Sequence, residues 1–255
     1  MSPDSASELP LLLLIHGAWH TGNCWQSLIP HLQAKGLRCL APDLPGHGKN
    51  LQADGRISLN SYSRYISQIT DNKRNIILIG HSMAGMLISQ LAEAHPERIS
   101  LLVYLNAYLP QDGQSLFDLM KFYRLTGEKA AIENALQYSE DKRFCSLLDE
   151  AIIPLFYNCC ADSLQQSAKA QIQPQASLPL AGRVKLSTEK FGSIPKVYIH
   201  SLQDRVIPAA QSRQMLAANQ SMPVYTLDTD HSPFYSQPES LARLLSSLVN
   251  ENSSC

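Results

Sequence analysis

The sequence predicts an α/β protein with a mostly parallel, doubly wound sheet of about six strands. Six short runs are apolar at consecutive positions, as in strands that are buried on both faces of a parallel sheet. Segments with apolar residues at helical spacing lie between these runs, and such strand–helix alternation is typical of doubly wound sheets. The apolar runs are Leu11–Ile15, Arg38–Ala41, Ile76–Ile79, Leu101–Leu105, Val197–His200 and Val224–Leu227.

Helical spacing predicts four amphipathic helices around these strands. Their apolar positions are Leu28, Ile29 and Leu32; Leu59, Tyr62, Ile66 and Ile69; Met86, Leu87 and Leu91; and Leu241, Leu244, Leu245 and Leu248. Ser58 and Ser236 precede two of the helices and are predicted as N-caps, because a serine hydroxyl accepts hydrogen bonds from the first free amides. Pro96 is predicted to mark a helix end.

The alternation is interrupted once, between Pro110 and Phe191. The stretch is rich in glutamine, and no part of it resembles a convincing strand. Helical periodicity covers Leu116–Tyr123, Lys129–Tyr138 and Phe144–Phe156, while Gln171–Leu180 contains two prolines and is predicted to be extended.

An insertion that follows a strand end of an open sheet is placed to cover a ligand site. We therefore predict an α/β core of residues 1–109 and 192–255 and a helical cap of residues 110–191. A structural excursion without ligand contact is the alternative.

The composition excludes several classes of protein. The formal net charge is −1, from 21 basic and 22 acidic residues, so neither nucleic acid nor a membrane surface is expected as a partner. No apolar run approaches the ~20 residues of a membrane span. The six cysteines lack metal-ligand spacing and are predicted to be reduced thiols. A cytoplasmic enzyme without a bound metal is the prediction.

The strongest local signal is Gly80-His81-Ser82-Met83-Ala84-Gly85, which follows an apolar strand and precedes a helix. This context is typical of a nucleophile elbow, in which a sharp turn exposes the serine hydroxyl above the sheet. Ala84 stands where the strict pattern has glycine, a departure small enough to be tolerated. The alternative is an ordinary tight turn with an incidental serine.

A serine nucleophile requires a base and an acid that orients the base. His231 follows the last strand and is predicted as the base, and Asp204 follows the preceding strand and is predicted as the acid. The chain order Ser82, Asp204, His231 is the order in which nucleophile, acid and base occur in enzymes with a nucleophile elbow. Asp230 and Asp228 are the rival acids. Asp230 is directly adjacent to His231 in the chain, so its carboxylate cannot easily reach the far nitrogen of the ring, and Asp228 is the weaker rival. Asp204 could instead pair with Arg205 or cap a helix.

The tetrahedral intermediate also needs backbone donors for its oxyanion. The Met83 amide is predicted as one donor because it directly follows the nucleophile. The other is expected from the loop after the first strand, where we assign Ala18, since Gly17 lets the backbone pass close to a substrate.

These motifs together resemble the α/β-hydrolase superfamily. The chain is similar to the plant methylesterase and hydroxynitrile lyase group and its bacterial esterase relatives in four motifs: His16-Gly17-Ala18-Trp19-His20, Asp43-Leu44-Pro45-Gly46-His47-Gly48, Gly80–Gly85 and Asp230-His231-Ser232. The resemblance implies hydrolysis of small carboxylic esters, no cofactor and a helical cap over an apolar pocket. It also implies a Ser82–His231–Asp204 triad with Ala18 and Met83 as oxyanion donors.

Two positions separate the esterases of this group from its lyases. Lyase members carry threonine or asparagine after the first loop histidine, and some carry lysine after the catalytic histidine. This chain has Gly17 and Ser232 there, which favours an esterase. A thioesterase or lactonase would use the same residues, and a slow-turnover ligand receptor remains an alternative from a different class.

The substrate is predicted to be a small-molecule ester, and its pocket can be assigned only by position. The candidate pocket residues are Gly17, His81, Phe117, Met120, Tyr123, Phe156 and Ser232. Those of the cap are equally well placed to pack inside it. Monomer and homodimer are both compatible with the sequence.

Overall fold

The computed structural model describes residues 9–50, 56–124 and 131–253 of the 255-residue chain. Its strands are β1 (Leu11–Ile15), β2 (Arg38–Leu40), β3 (Ile76–His81), β4 (Ile99–Leu105), β5 (Leu136–Tyr138), β6 (Phe144–Leu147), β7 (Gln175–Ala176), β8 (Lys196–Ser201) and β9 (Val224–Leu227). Its α-helices are α1 (Ile29–Gln33), α2 (Leu59–Ile69), α3 (Ala84–Ala94), α4 (Leu116–Arg124), α5 (Ala131–Asn134), α6 (Asp149–Phe156), α7 (Asp162–Lys169), α8 (Ser177–Ala181), α9 (Ala209–Leu216), α10 (Pro233–Ser236) and α11 (Pro238–Ser253).

The central sheet has six strands, all parallel, in the order β2-β1-β3-β4-β8-β9. Every one of these strands falls on a predicted apolar run, and β1 and β3 are buried along their whole length. The chain passes from β1 to β2 on one side and to β3 on the other, so β1 and β3 flank a topological switch point. The loops that follow β1 and β3 therefore meet at a crevice, where open α/β sheets bind ligands.

The four predicted helices are present as α1, α2, α3 and α11. The Ser58 hydroxyl accepts a hydrogen bond from the Ser61 amide, so the predicted N-cap of α2 is confirmed. The prediction for Ser236 is wrong, because this residue ends α10 and its hydroxyl is turned toward Asp230 (2.7 Å). The Ser236 hydroxyl therefore donates to a buried carboxylate and, within the described residues, does not accept a hydrogen bond from a helix amide, as an N-cap would.

The prediction that residues 110–191 contain no strand is wrong. Strands β5, β6 and β7 form a small antiparallel sheet, and the predicted helix over Phe144–Phe156 is divided into β6 and α6. In the predicted extended stretch Gln171–Leu180, only β7 is a strand, and α8 follows directly. These strands have two to four residues, too few to show the alternation that identifies a strand.

No helix among the residues that the structure describes combines the length and the apolar character needed to cross a bilayer.

Candidate active site

Ser82 lies at a sharp turn between β3 and α3. Its φ angle is 55°, a left-handed conformation that costs a non-glycine residue about 1–3 kcal/mol and is typical of functional sites. The Ser82 carbonyl accepts hydrogen bonds from the amides of Gly85 and Tyr108, both at 3.1 Å, which hold the turn in place. A β-carbon on Gly80 would lie 2.9 Å from the Ala84 carbonyl oxygen, so the small residues of the motif are required by packing.

Asp204 and His231 form a buried pair. The Nδ1 atom of His231 donates a hydrogen bond of 2.8 Å to Oδ2 of Asp204, and both side chains are fully buried. The other carboxylate oxygen of Asp204 accepts hydrogen bonds from the amides of Val206 (2.8 Å) and Ile207 (2.9 Å). The guanidinium of Arg205 points elsewhere, to the Pro154 carbonyl at 3.4 Å.

The remaining ring nitrogen of His231 is available as a base. Because Nδ1 carries the proton, Nε2 has its lone pair free, and within the described residues it is buried without a hydrogen-bond partner. Ser82 Oγ therefore does not form a hydrogen bond with it in this structure. The two residues belong to adjoining loops, since Nε2 of His81, next to Ser82, donates to the His231 carbonyl at 2.9 Å.

Neither rival carboxylate contacts the imidazole of His231 by a hydrogen bond. Asp230 is buried and accepts from the Ser232 amide (3.1 Å), the Ser236 hydroxyl (2.7 Å) and the Cys159 amide (2.8 Å). Asp228 accepts from the Gln203 amide group at the surface (2.9 Å). Asp230 thus ties the histidine loop to the cap.

Ala18 and Met83 both lie beside Ser82 and are buried. In the described part of the chain, the amide of neither residue donates to a protein acceptor, which leaves two donors free near the serine. A β-carbon on Gly17 would lie 2.9 Å from Cβ of Ser82 and 3.0 Å from Nδ1 of His81. The close approach of this loop to the serine therefore requires glycine.

A narrow cavity opens at Ser82. It is lined by Ala18, Trp19, Ser82, Met83, Tyr108, Leu116, Phe117, Met120, Ile132, Leu136, Leu180 and Val206. Two predicted pocket residues, Phe117 and Met120, are among them. Among the described residues of the wall, no side chain is charged.

The other pocket candidates have different positions. Phe156 packs edge-on against the His231 ring, with centroids 5.4 Å apart, and is not part of the cavity wall. Gly17, His81 and Ser232 are not among the described lining residues. Gly17 lies against Ser82, His81 donates to the His231 carbonyl, and the Ser232 amide donates to Asp230. The side chain of Tyr123 lies outside the described part of the structure.

The sequence missed several wall residues. Trp19 is adjacent to Ala18 in a motif already identified, so its position at the cavity could have been predicted from the sequence. Leu136 and Leu180 come from the cap and reach the cavity only through its fold, which no local pattern indicates.

Three further buried histidines support the site. Burial lowers the pKa of His16 and of His81 well below the usual value and that of His20 to about 4, so all three rings are neutral at pH 7. His16 Nε2 accepts from the Leu44 amide at 3.0 Å, and its Nδ1 donates to the Gly17 carbonyl at 2.9 Å. These rings hold backbone groups and carry no charge.

The described ranges contain no group of three or more His, Cys, Asp or Glu side chains arranged to hold a metal ion. The free donors and the lone pair around Ser82 are instead suited to acyl transfer.

Comparisons with known proteins identify the family to which this fold belongs. The profile of the Alpha/beta hydrolase family matches residues 12–244. A pyrethroid hydrolase of Sphingobium wenxiniae is 32% identical over 254 residues, which cover 94% of this chain and 87% of that protein. Putative methylesterase 11 of Arabidopsis thaliana, described as chloroplastic, is 29% identical over 242 residues, but the chain spans only 62% of its length.

Among solved structures, a pyrethroid hydrolase from Sphingobium faniae superimposes with a TM-score of 0.84 at 29% identity. The match covers 96% of this chain and 99% of that one.

Proposed function

Because the chain belongs to the alpha/beta hydrolase family, we propose that it is a serine carboxylesterase that cleaves a small carboxylic ester of the methyl-ester type through an acyl-enzyme on Ser82. The observation that carries the proposal is the buried hydrogen bond between His231 and Asp204, which leaves the second nitrogen of the histidine free beside the serine loop. The named activities of the relatives support the same reaction class.

In this mechanism His231 removes the proton of the Ser82 hydroxyl as the oxygen attacks the ester carbonyl. Asp204 keeps the imidazole in the required tautomer and stabilises its protonated form. The amides of Ala18 and Met83 donate to the oxyanion, an interaction worth about 3–4 kcal/mol per donor in comparable sites. His231 then protonates the leaving alcohol, and a water molecule repeats the sequence on the acyl-enzyme.

The described residues of the cavity wall are almost all apolar, which supports an ester whose acyl group is apolar. The crowding around Gly17 argues against a hydroxynitrile lyase, because a threonine or asparagine side chain there would collide with Ser82 and His81. A thioesterase or lactonase would use the same oxyanion donors. The geometry of the site therefore does not separate these activities, and the rates on methyl esters, thioesters and lactones have to be compared.

The test of the proposal is the Ser82→Ala variant. We expect hydrolysis of a p-nitrophenyl or methyl ester to fall to the background rate, while the circular dichroism spectrum and the unfolding midpoint stay unchanged. Ser100→Ala is the matched control. Ser100 lies near the start of β4, whereas Leu105 at its end contacts Ser82, and within the described residues the Ser100 hydroxyl donates to the Ile76 carbonyl (3.3 Å).

Retention of most activity in Ser82→Ala would refute the assignment. A fluorophosphonate probe that failed to label Ser82 would favour a ligand receptor. Faster turnover of thioesters or lactones than of methyl esters would change the substrate class without changing the nucleophile.

A cytoplasmic location is also part of the proposal. Its support is that all five cysteines in the described ranges are free thiols, as in reducing compartments. Fractionation of the source cells tests this location.

A further inference from the structure

A chain of buried hydrogen bonds connects the cap to the loop that carries Ala18. The hydroxyl of Tyr157, directly after α6, lies 2.9 Å from Nε2 of His20. Nδ1 of His20 in turn lies 3.0 Å from the carbonyl oxygen of Ala18. All three residues are buried, so neither hydrogen bond competes with bulk water.

The direction of these hydrogen bonds follows from the groups involved. A carbonyl oxygen can only accept, so the proton of the His20 ring is on Nδ1. The ring is neutral, because burial lowers its pKa to about 4, and its Nε2 atom must then accept. Tyr157 is therefore the donor, and its hydroxyl favours the single tautomer of His20 that binds the Ala18 carbonyl.

The backbone at this point is a tight turn that needs outside support. Trp19 has a φ angle of 64°, and the His20 amide closes the turn on the Gly17 carbonyl at 3.4 Å. A tryptophan in this left-handed region is strained, and such a residue persists only where its surroundings hold it. The direction of the Ala18 carbonyl is set by the same turn that presents the Ala18 amide.

The cap supplies further contacts to this turn. The Gln173 amide donates to the Trp19 carbonyl at 2.9 Å, and the indole nitrogen of Trp19 donates to the Cys145 carbonyl at 3.1 Å. With Tyr157, three cap residues thus hold the two positions that directly follow Ala18.

We propose that Tyr157 and His20 are positioning residues for ester hydrolysis: the Tyr157 hydroxyl keeps His20 in the tautomer that binds the Ala18 carbonyl, and this contact keeps the Ala18 amide directed at the developing oxyanion. The inference rests on the proposed function, in which Ala18 is an oxyanion donor. The cap then contributes to the geometry of the reaction in addition to covering the cavity.

The first test is Tyr157→Phe, which removes only the hydroxyl. We expect kcat to fall about tenfold and KM to stay within about twofold, because a neutral hydrogen bond that orients a transition-state donor is lost. Tyr104→Phe is the matched control, since this buried tyrosine bonds to Ser89 (2.7 Å) within the core and should keep the wild-type kcat.

The second test is coupling through His20. In His20→Asn, the side-chain amide nitrogen takes the place of Nδ1 and can still donate to Ala18, but the side chain is too short to reach Tyr157. Adding Tyr157→Phe to this variant should therefore change kcat by less than about twofold. A further tenfold loss in the double variant would overturn the proposal.

The third test does not depend on activity. Nitrogen-15 NMR of the imidazole, with the His20 signals assigned from His20→Asn, should show a protonated Nδ1 and a hydrogen-bonded, unprotonated Nε2. In Tyr157→Phe both shifts should move toward those of the other tautomer, because the hydroxyl that favours a protonated Nδ1 is lost, and an Nδ1 shift that stays in place would contradict the proposal. A proton on Nε2 in the wild type would overturn the proposal even if Tyr157→Phe failed to fold.

The outcomes also separate this inference from the proposed function. A wild type that is active on esters, with kcat unchanged in Tyr157→Phe, overturns the inference alone. A wild type that hydrolyses no ester overturns the proposed function and with it the catalytic meaning of the contact.

Discussion

At the residue scale, Asp204 serves two groups with its two oxygens. One oxygen accepts from the amides of Val206 and Ile207, which orients the carboxylate, and the other accepts the hydrogen bond that His231 Nδ1 donates. Asp230 is also buried, but its donors are Ser232, Ser236, Cys159 and the Cys160 thiol. Two neighbouring carboxylates therefore differ in role because of the donors that surround them.

We predict that Asp204→Asn lowers kcat on the order of 10⁴-fold. The amide keeps the shape of the side chain but loses the charge that stabilises the imidazolium, and it can favour the wrong tautomer of His231. Steady-state kinetics on an aryl ester measure the effect. Asp228→Asn is the control, since its carboxylate contacts Gln203 at the surface, and an equal loss in that variant would mean that the acid is wrongly assigned.

At the element scale, the turn between β3 and α3 is packed against the loop that leaves β4. The Tyr108 amide donates to the Ser82 carbonyl at 3.1 Å, and the first six residues of α3 are buried. A β-carbon on Gly85 would lie only 2.0 Å from the Tyr108 carbonyl oxygen. The position of the nucleophile thus depends on the close contact between the first turn of α3 and the backbone at Tyr108, which leaves no room for a side chain at Gly85.

Gly85→Ala should lower the free energy of unfolding by about 3 kcal/mol, because the backbone at Tyr108 must move to admit the methyl group. Urea unfolding measures this change. Gly36→Ala is the comparison, since Gly36 has a φ angle of 77° but open space around it, and its cost should be about 1 kcal/mol. Equal losses in the two variants would contradict the packing argument.

At the scale of the whole molecule, the interior contains a group of neutral histidines. His16, His20, His47 and His81 are buried, and burial lowers the pKa of each, to about 4 for His20 and His47. An unfolded histidine binds a proton near pH 6.5. Between pH 6.5 and 4 the unfolded chain therefore binds more protons than the folded one.

Stability is consequently expected to fall as the pH falls, since the unfolded state gains protons that the folded interior excludes. His20 and His47 should each account for about 2 kcal/mol of lost stability at pH 5 relative to neutral pH. Thermal unfolding at pH 7 and pH 5 measures the loss, and His47→Gln should reduce it. An unfolding midpoint that is the same at both pH values would contradict the prediction.

Local patterns were sufficient for the strands of the central sheet and for naming the three candidate triad residues. Consecutive apolar positions identify strands such as β1 and β3 because burial on both faces leaves no polar position, and the motif around Ser82 requires small neighbours for steric reasons within a few residues. Ser82, Asp204 and His231 could be named because each follows a recognisable strand and because the three occur in the expected chain order. Their catalytic roles stay a prediction.

Only the tertiary structure decided the contacts that join distant segments. It pairs His231 with Asp204 rather than with Asp228 or Asp230, forms strands β5 to β7 in the cap, and brings Tyr157 to His20 across 137 positions of sequence. Such contacts depend on how separately formed elements pack together, and no short stretch of sequence contains that information.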